Sequence, residues 1–406
     1  MADRFELPAK VALRGLDHEG VSVWVHGAEQ LGAGRLARLI RYVGARGAVL
    51  DPTALAGAVR DGGVHRELLA GLARRGATAN AAVRGILVDE ARRGCDALLG
   101  VYEARRGQDG FVSVPVPGDV LTGVATPAAH LKVLWTEVGR PNLLLRLPAC
   151  ENGLDVARAC LAHGIGVHID QVGSASQYAQ VLRVCAEGLE LARQSGVPLG
   201  MVASVAAMDL AAVDAEVERE LTALGASGAV ARRQRGRVAV AQARLAFRVH
   251  DEWHGGASWS ALRAAGALPQ RLMWTVSGTP VPVGIPTGTG KPPPDVAGPS
   301  GDLGAAGPRS PVSYVERLVG WNTVVAMTAP DLAALGKARL RGDGLLGAHT
   351  EAERVMTELA DLGVRYGVLA RRLASRQLTR LLFSWRELHT AVATHLDPGD
   401  RARRRH

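Results

Sequence analysis

Residues 140–153 read Arg-Pro-Asn-Leu-Leu-Leu-Arg-Leu-Pro-Ala-Cys-Glu-Asn-Gly. Four of the five residues from Leu143 to Leu147 are leucine, and prolines at 141 and 148 bound the run. A short apolar run punctuated in this way suits a strand buried on both faces, as in a parallel sheet. Arg146 breaks the pattern. A guanidinium buried there without a partner would cost on the order of several kcal/mol, so it must meet an anion or a wet cavity. In barrels of alternating strands and helices the carboxyl ends of the strands carry the chemistry. Arg146, next to the end of its strand, is a candidate site residue on position alone.

Working outward, Val21–His26 alternates as a strand with Ser22, Trp24 and His26 on one face. Further strands are expected at Gly47–Leu50, Phe111–Val116, Gly164–Val172, Gly200–Val205, Arg271–Val276 and Thr323–Met327. In the fifth of the eight, His168 and Asp170 share a face. Helices are expected over 31–43, 54–75, 79–103, 126–138, 152–163 and 175–194, with an Ala-rich helical stretch over about 207–250. Eight strands alternating with helices, joined by right-handed crossovers, predict a (β/α)8 barrel within one domain spanning residues 1–406. Residues 283–311 are rich in Pro and Gly and are expected to form a mobile loop after the seventh strand. Gly288-Thr289-Gly290-Lys291 within it is followed by Pro292, which denies the helix a phosphate loop needs.

The 406 residues are 47% hydrophobic, enough for a barrel-sized core. The formal charge of +9 comes from arginines spread along helices and from a basic tail over 396–406. Aromatics make up 4% and do not interleave with the basic residues, so no nucleic-acid platform is visible. The four cysteines show no CxxC spacing, and no signal core or eighteen-residue apolar stretch occurs. The expected setting is cytoplasmic, with a small-molecule substrate and neither membrane nor nucleic acid as partner.

From about residue 20 to 393 the chain resembles the transaldolase family in its bacterial long form. The resemblance is carried by Gly47–Asp51 with Pro52-Thr53, Cys95-Asp96 through Tyr102-Glu103, Gly110–Ser113, Arg140–Leu143, His163–Ile165, Val202–Ala206, Ala241–Ala246, Pro269–Trp274, Asn322–Val324, Arg341–Asp343 and Ser384–Leu388. It implies the transaldolase barrel. It also implies a lysine on the fourth strand that forms a Schiff base with a ketose. That position here is Arg146, which stays protonated and is not a practical amine nucleophile. By the same resemblance, the strand-one aspartate becomes His26 and the strand-two asparagine becomes Asp51, after Val49 and Leu50. The strand-three glutamate becomes Pro115 and the strand-five threonine Asp170. The phosphate-side serine and arginine fall at Ala207 and Ala212, and the basic residue after strand seven at Pro280. Such a chain is expected to lack both imine chemistry and the family's phosphate anchor.

The expected site gathers His26, Asp51, Arg146 and Asp170 as reactive groups. His168 and Asp209 lie nearby, with Trp24, Met208 and Trp274 as apolar walls. Asp51 and Arg146, expected on neighbouring strands, would pair as carboxylate and guanidinium, either as a substrate clamp or as a bridge filling an idle site. Asp170 and His26 form a plausible acid/base couple, although Asp170 also suits a second partner for Arg146. Asp209 has the alternative of capping a helix, and Cys150 that of a small buried side chain. Three functions follow. One is an enzyme of specialised metabolism, a lyase, isomerase, cyclase or transferase, acting by proton transfer without a cofactor. The second is a non-catalytic ligand-binding or scaffold descendant. The third is Mg²⁺-dependent chemistry on a diphosphate or polyol through Asp51, Asp170 and Asp209. A homodimer is among the assemblies left open.

Overall fold

Eight parallel strands close into a barrel in strict chain order. The structure, a computed structural model, describes residues 3–28, 32–62, 65–117, 127–226, 229–234, 236–276, 310–340 and 342–396. The element order is α1 (Asp3–His18), β1 (Val21–His26), α2 (Gly32–Arg38, running into a π turn over Leu39–Val43), β2 (Gly47–Val49), α3 (Pro52–Arg60), α4 (Arg66–Arg74) and α5 (Ala79–Ala104). Then come β3 (Val112–Pro115), α6 (Pro127–Val138), β4 (Leu143–Pro148), α7 (Glu151–Ala162), β5 (Val167–Asp170), α8 (Ala175–Gln194) and β6 (Ser204–Asp209). Next are α9 (Leu210–Ala223), α10 (Ala229–Gln234), α11 (Val238–Gly255), α12 (Ala257–Ala264), β7 (Arg271–Thr275), α13 (Pro311–Arg317) and β8 (Thr323–Met327). The chain ends in α14 (Ala329–Ala334), α15 (His349–Asp361) and α16 (Tyr366–Leu396). This is the expected (β/α)8 barrel. No described helix is long and apolar enough to cross a membrane. Most of the 283–311 segment and the tail beyond Leu396 lie outside the described residues.

Strand parity sorts the side chains into two cores. One fills the barrel: Trp24, Val49, Phe111, Leu144, Val205, Ala207, Met273, Val324 and Ala326. The other lies between strands and helices and includes Leu145, Leu147, Ile169, Met208 and Trp274. At the amino end, Asp109 closes the barrel. It accepts hydrogen bonds from Ser22 Oγ and from Trp24 Nε1, the latter at 3.0 Å, and pairs with Arg271 at 3.4 Å. Arg271 also donates to the Thr323 carbonyl at 2.7 Å, so the buried charge is matched by several partners. Gly47 sits where a Cβ would lie 2.4 Å from the Trp24 ring, which is why a glycine opens β2.

Three expectations are corrected. The sixth strand starts at Ser204, not Gly200, because Leu199–Met201 form a 3₁₀ turn. Its Ala-rich half, read as helix from 207, is held extended by pairing with β5 and β7. The expected helix over 54–75 is two helices, broken where Gly62 adopts a φ of +64°. The helices α1, α12, α13, α14, α15 and α16 had no counterpart in the sequence reading.

Candidate functional site

The carboxyl ends of the strands bring His26, Arg146, Asp170 and Asp209 to one end of the barrel, and Asp51 follows β2 at the same end. Arg146 stands beside Pro115 on β3 and His168 on β5. Its side chain is 7% exposed. Nη2 donates to the Leu50 carbonyl at 2.7 Å, and Nη1 lies 3.7 Å from Asp170 Oδ2. Of the two expected anions, Asp170 is the one within ion-pair distance of Arg146. Asp51 is held differently, because β3 stands between β2 and β4. Asp51 caps α3, its Oδ1 accepting from the amides of Thr53 at 2.8 Å and Ala54 at 3.2 Å.

Asp170 Oδ1 accepts from the Gln171 amide at 2.8 Å. Gln171 adopts a φ of +67°, costly for a side chain with a Cβ, and so aims that amide back at the carboxylate. Its own Nε2 reaches the Gln377 carbonyl of α16 at 3.4 Å. A second tie, Thr53 Oγ1 to Ser384 Oγ at 2.8 Å, fixes α16 to the start of α3. Gln377 and Ser384 are two turns apart, on one helix face, and this face links the exits of β5 and β2.

Burial lowers the basicity of His26, while the charges of Asp51, Arg146, Asp170 and Asp331 act on it in turn. It is therefore neutral near pH 7 and able to accept a proton. His168 is buried deeper, at 1% exposure, and burial takes its pKa down to about 3. Its Nδ1 shares a 2.7 Å hydrogen bond with Ser113 Oγ. Its Nε2 has no hydrogen-bond partner among the described residues. Asp209 caps α9 through Oδ1, which accepts from the Ala212 amide at 3.0 Å. Burial first, and the nearby charge of Asp170 after it, raise Asp209 to about 6, against the pull of the Ala212 hydrogen bond.

The apolar walls are corrected. Trp24 lies a layer below His26, its indole tied to Asp109 at the amino end. Met208 and Trp274 belong to the outer core, against the helices, because they alternate with the inward Ala207 and Met273. The inner neighbours available are Ala207, Met273 and Ala326. Ser113, Asp331 and Gln171 went unnoticed in the sequence. Only the period-two face shared by Phe111 and Ser113 hinted at the first of them. Pro280 lies outside the described residues. Among the described residues no three His, Cys, Asp or Glu are grouped to hold a metal ion, so Asp51, Asp170 and Asp209 are not gathered around one.

No described strand carries a lysine. The chain's lysines are Lys10 and Lys132, on α1 and α6, Lys337, in a 3₁₀ turn over Leu335–Lys337, and Lys291, outside the described residues. The family model for transaldolase and fructose-6-phosphate aldolase matches residues 31–392. The chain belongs to this family. It is 32% identical over 396 residues to a transaldolase of Acidothermus cellulolyticus, covering 97% of this chain and 99% of that one. It is 32% identical over 389 residues to transaldolase 1 of Streptomyces coelicolor, covering 95% of each. With the transaldolase of Thermobifida fusca it shares 33% over 387 residues, 95% of this chain and 98% of the relative. Within a transaldolase-family barrel, the carboxyl end thus presents an arginine, two neutral histidines and several aspartates.

Proposed function

We propose that this transaldolase-family barrel is an enzyme of specialised metabolism that works by proton transfer and forms no imine. Its substrate is a small metabolite without the sugar-phosphate handle, handled in the cytoplasm by elimination, isomerisation, cyclisation or group transfer. The observation that carries the reading is Arg146 at the inner carboxyl end of β4, with no lysine on any described strand. A guanidinium cannot lose its proton to attack a carbonyl near neutral pH. Neutral His26 acts as the base. Arg146 and Asp170 hold and polarise the substrate, and Asp170 or Asp209 returns the proton. His168 offers its Nε2 to a polar group at the cavity floor.

The test has two arms. Borohydride treatment with dihydroxyacetone should leave the protein's mass unchanged; a reduced adduct on any lysine would end the proposal. Ligands retained from pathway extracts are then identified by mass spectrometry and turned over by the wild type, His26→Ala and Asp170→Asn. Unchanged turnover in both variants rejects the acid/base roles. One observation favours a second reading, a ligand-binding or scaffold descendant: the Arg146 guanidinium is already engaged by Leu50 and Asp170. Retention of a ligand without any turnover would support it.

A further inference from the structure

We propose that the barrel mouth takes a small organic cation bearing hydroxyl groups, an amino-polyol, and disfavours phosphorylated sugars. The inference rests on the mouth being the functional site, as proposed above. A phosphate at the carboxyl end of such a barrel is ordinarily met by helix N-termini and by cationic side chains. Here the chain supplies its own anions at the helix N-termini that follow β2 and β6. Asp51 takes the amides of Thr53 and Ala54 at the start of α3, and Asp209 takes that of Ala212 at the start of α9. An incoming phosphate would have to displace a covalently tethered carboxylate at either place. The inward cation, Arg146, is engaged by the Leu50 carbonyl and Asp170.

The groups at the carboxyl end suit a positive ligand. Asp170 is 24% exposed, and its closest cation stands at 3.7 Å, long enough for an ammonium to compete. The strain that one carboxylate places on another is visible in Asp209, whose proton affinity the Asp170 charge helps to raise. Independent of these carboxylates, His168 points to a ligand. It is buried, lies on the same inward face as Asp170, and is oriented through Nδ1 by Ser113, which leaves Nε2 without a partner among the described residues. A buried polar atom in that condition is met by a ligand or water hydroxyl. An ammonium against Asp170 and a hydroxyl against His168 satisfy both. Arg380 of α16 also acts on Asp209, but its side chain is exposed to solvent.

Calorimetric titration of the full chain with glucosamine, glucose and fructose 6-phosphate tests this. Glucosamine should bind about tenfold or more tightly than glucose, the increment of one partly desolvated ion pair, and fructose 6-phosphate should bind no better than glucose. Asp170→Asn should erase the preference for the amine, whereas Asp155→Asn, an exposed carboxylate on α7, should keep it. At pH 6 amine binding should release protons, read as heat that varies with buffer ionisation enthalpy, and Asp209→Asn should abolish that release. Tighter binding of fructose 6-phosphate than of glucosamine, equal binding of the amine and glucose, or no binding of any probe would overturn the proposal. Amine binding with no turnover of any metabolite would sink the acid/base reading and leave this one standing; turnover with no amine preference would do the reverse.

Discussion

Single residues decide what the carboxyl end of the barrel can do. Arg146 is buried and held by a carbonyl and a carboxylate. Replacing it by alanine should cost about 2–4 kcal/mol in urea unfolding, since the Leu50 carbonyl loses its donor and Asp170 its neighbouring cation. The two perturbed groups act on stability with opposite signs. The unfolded His168 takes up a proton near pH 6.5, the folded one only near 3, so the native state loses stability as pH falls through that window. Replacing His168 by asparagine should flatten this acid limb. Asp209 holds its proton in the native state up to about pH 6 and releases it near 3.8 when unfolded. Its contribution is complete below about 4 and lost as pH rises through 6. Asp209→Asn, still able to cap α9, should therefore stabilise the protein at pH 7 by about 1–3 kcal/mol relative to its effect at pH 4. Equal effects at both pH values would contradict the raised proton affinity.

At the scale of elements, α16 is the piece that completes the carboxyl end. It is tied by Gln171 and Thr53 to the exits of β5 and β2, and by Tyr366 Oη to the Gly173 carbonyl at 2.7 Å. Arg372 donates to Glu220 at 2.8 Å, and both Arg372 and Arg376 flank Glu216, which is 1% exposed. Glu216 keeps its nearest partner, Arg219 on its own helix at 3.1 Å, when Arg372 and Arg376 are removed, so their loss cuts the ties to α16 without leaving the buried charge unpaired. The double variant R372A/R376A should loosen α16 first. Hydrogen exchange should rise along 366–396 with little change in β4 and β5; protection retained throughout would show that apolar packing alone holds the helix. The sequence reading had no account of this element. Its periodicity is diluted by arginines, which look like a solvated face until Glu216 and Glu220 are seen beside them.

For the molecule as a whole, the amino end of the barrel bears on stability and the carboxyl end on chemistry. Asp109→Asn would leave Arg271 buried beside a neutral group and is expected to destabilise by about 3–5 kcal/mol, measured by thermal or urea unfolding. Gly47→Ala, which drives a methyl into the Trp24 ring, should cost about 1–3 kcal/mol. Both should leave ligand binding at the far end unchanged once the protein is folded. Much of this architecture was legible in the chain. The limits of β1 and β8 and the (β/α)8 class follow from alternation and from buried apolar runs, and the family from scattered motifs. So does the anomaly of Arg146, because a charge in a leucine run is informative wherever it occurs. Closure was needed for the rest. Which strands lie side by side decided that Arg146 meets Asp170 while Asp51 turns to its own helix. The inward or outward sense of each strand decided that Met208 and Trp274 face helices and that Trp24 serves the amino end. Those outcomes depend on contacts between residues tens to hundreds of positions apart, and a local pattern of hydrophobicity carries no record of them.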